Sequence, residues 1–284
     1  MKKLLTLLIL SLSMVSYAQE IHFPDLSPQA FVKQEIGNTN FELSYSRPAV
    51  RGRKIFGGLV PYGEVWRTGA AWCSTLSFDK EVNIEGVDIP AGKYSILSIP
   101  RPTDWVIILN KDTTLYGAYK YNKELDVARF QVASKKISEV QESLSMEIDF
   151  VPNHALLTIS WEFTEVSFLI KTSTHQEMES YIADKLLTRI ETDDDNYIQA
   201  AEYLLLNSYD LDQSFQLLEY ALEIRDSENV RGSRAAVLLQ MGRKDDAEKE
   251  IQTAIALVKA SDSMSERDKK VSIDYWESRL TELN

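Results

Sequence analysis

The chain has 284 residues, 44% hydrophobic and 26% charged, with a formal net charge of −12. That length suggests two domains, and the apolar fraction excludes a disordered chain. The acidic balance argues against nucleic acid as a partner, because neutralising phosphates needs a basic surface. One cysteine and three dispersed histidines supply neither an internal disulfide nor a zinc finger.

Lys2 and Lys3 open the chain, a leucine-rich stretch follows to Leu12, and Ser16-Tyr17-Ala18 precede polar Gln19. This is the layout of a bacterial signal peptide spanning residues 1–18, with cleavage expected after Ala18. The apolar run is too short to span a bilayer of ~30 Å comfortably. The expected destination is periplasmic or extracellular, with no integral membrane segment left after cleavage. Cys73 reads as a small buried hydrophobe.

Residues 19–172 read as a β domain. Phe41, Leu43 and Tyr45 alternate with polar residues, as do Ala155, Leu157, Ile159, Trp161 and Phe163. Further short strands are predicted at 72–78, 82–84, 94–99, 105–109 and 127–132, separated by Glu85-Gly86, Pro90-Ala91-Gly92 and Pro100-Arg101-Pro102. This spacing predicts an antiparallel β-sandwich, jelly-roll-like, rather than βαβ units.

Composition changes near residue 172. All eight prolines and nine of the eleven glycines precede it. Residues 19–172 carry 16 basic against 19 acidic side chains, and residues 173–284 carry 13 against 24. The second part therefore reads as an α-helical domain, giving an α+β multidomain chain. Ser214, Leu218 and Ala221 recur as Ala247, Ile251 and Ala254, 33 residues later. That offset predicts helical hairpins of tetratricopeptide-repeat type at 197–207 with 211–224 and at 235–241 with 245–258, flanked by helices at 178–190 and 267–280. An ordinary helical bundle would share most of this periodicity. Stacked hairpins offer a surface for a protein partner.

Motifs that carry chemistry are few. The histidines His22, His154 and His175 lie in unrelated contexts, so no metal site or cofactor is expected, and no catalytic residue is assigned. Asp193-Asp194-Asp195 reads as helix capping, because an EF-hand needs a mid-loop glycine and a terminal glutamate that are missing here. The segment from Arg47 to Arg67 is the exception. It carries Arg47, Arg51, Arg53, Lys54 and Arg67 against Glu64 alone, among several glycines and prolines. Guanidinium forks pair with carboxylate or phosphate, and aromatic faces stack on sugars. The candidate ligand-binding residues are Arg47, Arg51, Arg53, Tyr62, Trp66 and Arg67, for an anionic or carbohydrate ligand. The competing reading is that these arginines lace the loop to acids of the same chain.

The run SYSRPAVRGRKIFGGLVPYGEVWRTGA, followed by IPAGKYSILSIP, DWVIILNK and ISWEF, resembles a secreted bacterial family known as domain of unknown function 2911, over residues 22–171. The resemblance implies a β-rich exported domain and no assigned activity. The family commonly carries asparagine after the WRTGA run, where this chain has Ala71; a role for that amide would imply altered ligand chemistry here. The function expected is non-catalytic binding. The alternatives are a cell-envelope structural or assembly component, or a hydrolase of envelope carbohydrate using Glu64 with Asp79, Asp104 or Asp126.

Overall fold

In the computed structural model of the protein, which describes residues 23–283, nine strands form one wholly antiparallel sheet and six α-helices follow it. The leader read over residues 1–18, and His22, lie outside the described residues. The strands are β1 (Gln29–Ile36), β2 (Thr39–Ser46), β3 (Ser74–Phe78), β4 (Val82–Ile84), β5 (Val87–Ile89), β6 (Gly92–Pro100), β7 (Asp104–Asn110), β8 (Asp126–Val151) and β9 (His154–Thr172). Their order is β1-β2-β3-β6-β7-β8-β9-β4-β5. Ile36 on β1 and Ile89 on β5 come from opposite edge strands, yet both belong to one buried cluster with Phe41, Leu76, Trp105 and Trp161. The sheet therefore curls around one main core, and Leu97 and Ile108, on the other face of β6 and β7, form a smaller buried cluster with Cys73 and Leu115.

Alternation sets which residues enter that core: Phe41, Leu43 and Tyr45 are buried, and so are Ala155, Leu157, Ile159 and Trp161. Tight turns set the register. Glu85 and Gly86 both take positive φ, as a two-residue turn between β4 and β5 requires, and Asn153 does so between β8 and β9. The structure departs from the sequence pattern at β1, β5 and the second half of β8, which were not read as strands. β1 is an edge strand that interrupts its inward face with Gln34 and leaves Phe31 exposed. β8 beyond Ala133 divides in two: residues 134–143 are mostly polar and largely exposed, whereas Leu144, Met146 and Ile148 alternate with polar residues and enter the core, a period-two signal left out of the predicted strands.

The helices are α1 (Thr174–Tyr181), continued by a π-helical turn at Ile182–Leu186, then α2 (Asp194–Leu206), α3 (Leu211–Ile224), α4 (Glu228–Gln240), α5 (Lys244–Ala260) and α6 (Glu266–Leu283). Asp193, Asp210 and Ser227 accept backbone N–H groups at the starts of α2, α3 and α4. All six residues of the 33-residue repeat are buried, and Ser214 donates to the Ala201 carbonyl at 2.7 Å. Gly232 is required by close packing: a Cβ there would lie 2.1 Å from the Trp276 ring. α2, α4 and α6 line a cleft of about 510 Å³ whose polar residues include Asp195, Glu202, Arg279 and Glu282. No helix among the described residues is long and apolar enough to cross a membrane.

Strand β9 ends at Thr172 and α1 begins at Thr174, within the composition break. A polar seam joins sheet and helices there. Asn153 Nδ2 donates to Asn207 Oδ1 at 2.9 Å and to the Tyr203 hydroxyl at 3.1 Å, and Lys80 pairs with Glu177 at 2.6 Å. The Asn38 amide donates to Thr174 Oγ1 at 2.9 Å, and Gly37 beside it leaves no room for a side chain.

Candidate functional site

The Arg-rich segment between β2 and β3 is held as tightly as a strand. The pairing of β8 with β9 shifts register between Lys136 and Ser145, which frees backbone groups of β8 for another partner. The loop takes them: Val50 N donates to the Glu142 carbonyl at 2.7 Å and Leu144 N to the Pro48 carbonyl at 2.9 Å. Further along, Trp66 and Ser98 exchange both backbone hydrogen bonds, at 2.7 and 2.8 Å, beyond the start of β3. The loop's apolar residues Val50, Ile55, Phe56, Val60 and Trp66 join the sheet's core. Phe56 packs among Trp66, Trp105 and Trp161, and Trp66 stacks on Trp161 with ring centres 5.8 Å apart.

Over this aromatic floor opens a cleft of about 360 Å³. Arg51, Arg53, Arg67, Trp66 and Trp161 line it, with Leu26, Ser27 and small or apolar residues, and none of the lining residues is acidic. Arg51 Nη2 donates to the Leu26 carbonyl at 2.9 Å, and Arg53 Nε to the Val50 carbonyl at 3.0 Å. The Arg67 guanidinium makes no hydrogen bond or ion pair with any described residue, and its Nε is buried without an acceptor. Trp161 Nε1 is also buried without an acceptor. An unsatisfied buried donor costs roughly 1–3 kcal/mol, and both of these belong to side chains that line the cleft.

Backbone strain gathers at the same place. Arg51, Thr68 and Ala71 in the loop take φ of 49°, 49° and 57°, and Glu162, whose carboxylate accepts from Ile55 N, takes 57°. Thr68 is β-branched and fully buried, so this conformation needs external support. Its hydroxyl meets Ser98 Oγ at 2.9 Å, and its carbonyl accepts from Ser74 Oγ at 2.6 Å. Ala71 lines neither this cleft nor the neighbouring one, and its carbonyl accepts from Gly117 N at 3.0 Å. Its left-handed conformation is one that asparagine adopts more readily than alanine.

Four of the six sequence-derived candidates, Arg51, Arg53, Trp66 and Arg67, meet at the cleft. Arg47 does not: its Nε donates to the Leu144 carbonyl at 3.0 Å, which helps fix the loop on β8. Tyr62 does not either: it is exposed and rests on Gly57, where a Cβ would lie 2.5 Å from the ring. Among the described residues none of Arg47, Arg51, Arg53, Lys54 and Arg67 forms an ion pair; their guanidinium contacts are to carbonyl oxygens, while the backbone N–H groups of Arg51 and Ile55 donate to the carboxylates of Glu142 and Glu162. Trp161, Leu26 and Ser27 were not singled out as site residues, being distant in sequence from the loop.

The other groups noted in the sequence have local partners. Asp79 holds Asn40, Asp104 pairs with Arg101, and Asp126 accepts from Asn110 and Tyr121. Asp193 caps α2, while Asp194 and Asp195 pair with Arg225. Cys73 is buried, and that burial pushes its thiol pKa up. His154 accepts from Thr172 N at 3.3 Å, and His175 stacks on Tyr209.

The chain belongs to the family described as protein of unknown function (DUF2911), whose model matches residues 27–170 and so includes the sheet and the cleft. No curated protein and no solved structure matches it.

Proposed function

We propose that this chain is an exported, non-catalytic binding protein whose cleft takes a ligand bearing a carboxylate or phosphate. The observation that carries this reading is the acid-free lining: three arginines line one cleft, and the Arg67 guanidinium has no partner among the described residues. Each guanidinium offers five donors in a planar fork, and carbonyl contacts use only some of them. A carboxylate or phosphate supplies the missing acceptors and the missing negative charge together.

In this reading residues 19–172 form one domain, with its sheet of jelly-roll type. Residues 173–284 form a second domain of tetratricopeptide-like hairpins that docks a protein partner. The buried 33-residue repeat and the cleft among α2, α4 and α6 support that part. The leader at residues 1–18 supports export to the periplasm or beyond.

The test uses the tryptophans at the cleft. Titrating inorganic phosphate, and separately a hexuronic acid, is expected to change Trp66 and Trp161 fluorescence saturably. Arg51→Ala and Arg67→Ala should abolish that response, and added salt should weaken it. An unsaturable response, or one that survives both substitutions, overturns the reading.

A further inference from the structure

A second cleft, of about 290 Å³, adjoins the first across Arg67. The two share Leu59, Val60, Trp66 and Arg67, and the second adds Glu64 and Tyr119. Its chemistry differs from its neighbour's. Here one guanidinium faces one carboxylate, and Glu64 makes no hydrogen bond or ion pair with any described residue. Tyr119 is 90% exposed, an unusual position for so much apolar surface.

Tyr119 is nevertheless held in place. Its ring lies against Gly117, where a Cβ would sit 2.7 Å from it, and Gly117 takes a φ of +73° that suits glycine. The loop carrying both residues is pinned at its far end. Tyr121 donates to Asp126 at 2.6 Å, Arg129 donates to the Tyr121 hydroxyl at 2.6 Å, and Asn110 donates to the Asn122 carbonyl at 2.9 Å. Burial and the hydrogen bond to Asp126 push the Tyr121 pKa up to about 12, against the opposing pull of Arg129.

From this pairing of clefts we infer that the ligand is a saccharide bearing one acidic group, the acid lying among Arg51, Arg53 and Arg67 and an uncharged sugar ring between Tyr119 and Glu64. This rests on the anion-binding reading given above. A sugar ring presents an apolar C–H face that covers an aromatic ring, and hydroxyl groups that donate to a carboxylate. A second anion would be repelled by Glu64, so the acidic group belongs on the acid-free side. The two clefts adjoin along Leu59, Val60, Trp66 and Arg67, and in this inference one molecule reaches across that wall into both.

The experiment compares probes that fill one cleft or both. Hexuronic acid is set against a hexuronate–hexose disaccharide, and a hexose phosphate against a phosphorylated hexose disaccharide. In at least one pair the disaccharide is expected to bind about tenfold more tightly, roughly 1.4 kcal/mol. Tyr119→Ala, at a fully folded and highly exposed position, should erase that increment and leave the monosaccharide's affinity unchanged. Glu64→Gln should reduce the increment in the same way. Equal affinities within both pairs, or an increment that survives both substitutions, would overturn the inference while leaving the anion site standing. If neither acidic monosaccharide binds, the anion reading fails and this inference falls with it.

Discussion

In the helical region Arg231 and Arg234 both reach the Glu250 carboxylate at 2.9 Å, and Arg231 also pairs with Asp226 at 2.8 Å. In the loop before β3, the Arg51 and Arg53 guanidiniums reach only carbonyl oxygens, the Arg51 backbone N–H donates to the Glu142 carboxylate at 2.9 Å, and the Arg67 guanidinium reaches nothing described. Overall charge would suggest the reverse. The helical region is the more acidic part, yet it draws none of the loop's cations into ion pairs among the described residues. At physiological salt the Debye length is ~8 Å, so a distant excess of acid does not neutralise a local cluster of bases. Arginines closed on carboxylates hold structure together, whereas arginines left open toward a cleft are available to a ligand.

The contrast is most easily broken at Glu250. Glu250→Ala leaves the buried Arg234 with only Glu219 at 3.8 Å and the half-buried Arg231 with only Asp226, and is expected to cost about 3 kcal/mol in denaturant unfolding. A loss below about 1 kcal/mol would mean that the helical ion pairs are as dispensable as surface pairs. Gly232→Ala tests packing in the same region without touching charge. The added methyl must displace the Trp276 ring, so a loss of about 1–3 kcal/mol is expected from the same measurement.

In the loop the expected signs differ. Ala71→Gly relieves a left-handed alanine and should raise stability by about 1 kcal/mol, with Ala71→Asn gaining less. A loss of stability in both variants would show that the alanine methyl contributes packing that offsets its backbone strain.

The smallest effect is expected at the seam between the two regions. Burial lowers the His154 pKa below the ordinary histidine value of 6.5, so the fold favours the neutral ring that accepts from Thr172. Its contribution is complete above 6.5 and shrinks as pH falls toward the lowered folded value. Lys80 and Ser173 lower the Glu177 pKa below 4.5, so that contribution is complete above 4.5 and is lost as pH falls through the folded value. Melting temperature should therefore dip slightly in mild acid and further in stronger acid. His154→Gln should remove the first dip and Lys80→Ala should reduce the second.

Much of this architecture is legible in the sequence because its signals are periodic. Alternation marks β2 and β9, and the 33-residue offset marks residues that are all buried. The edge strand β1 and residues 134–143 of β8 are weakly marked, because largely exposed strands need little apolar alternation, whereas Leu144, Met146 and Ile148 carry an alternation that the predicted strands leave out. At the site, local charge density identified the loop, and glycine content identified its turns. Neither signal shows where a guanidinium points. Arg47 turned onto β8 and Tyr62 settled on Gly57, while Trp161 reached the cleft from a strand nearly a hundred residues away. Long-range contacts of that kind come from sheet topology, which a single sequence leaves unspecified.

The most direct test of the difference between structural and ligand-facing arginines is the stability of Arg67→Ala beside its anion affinity. Removing a guanidinium that has no partner, and whose buried Nε lacks an acceptor, should change unfolding free energy by no more than about 1 kcal/mol. The same substitution should abolish the fluorescence response to phosphate and to hexuronic acid. A stability loss of about 3–5 kcal/mol would contradict the account, because it would show that Arg67 is bound into the fold as Arg231 and Arg234 are.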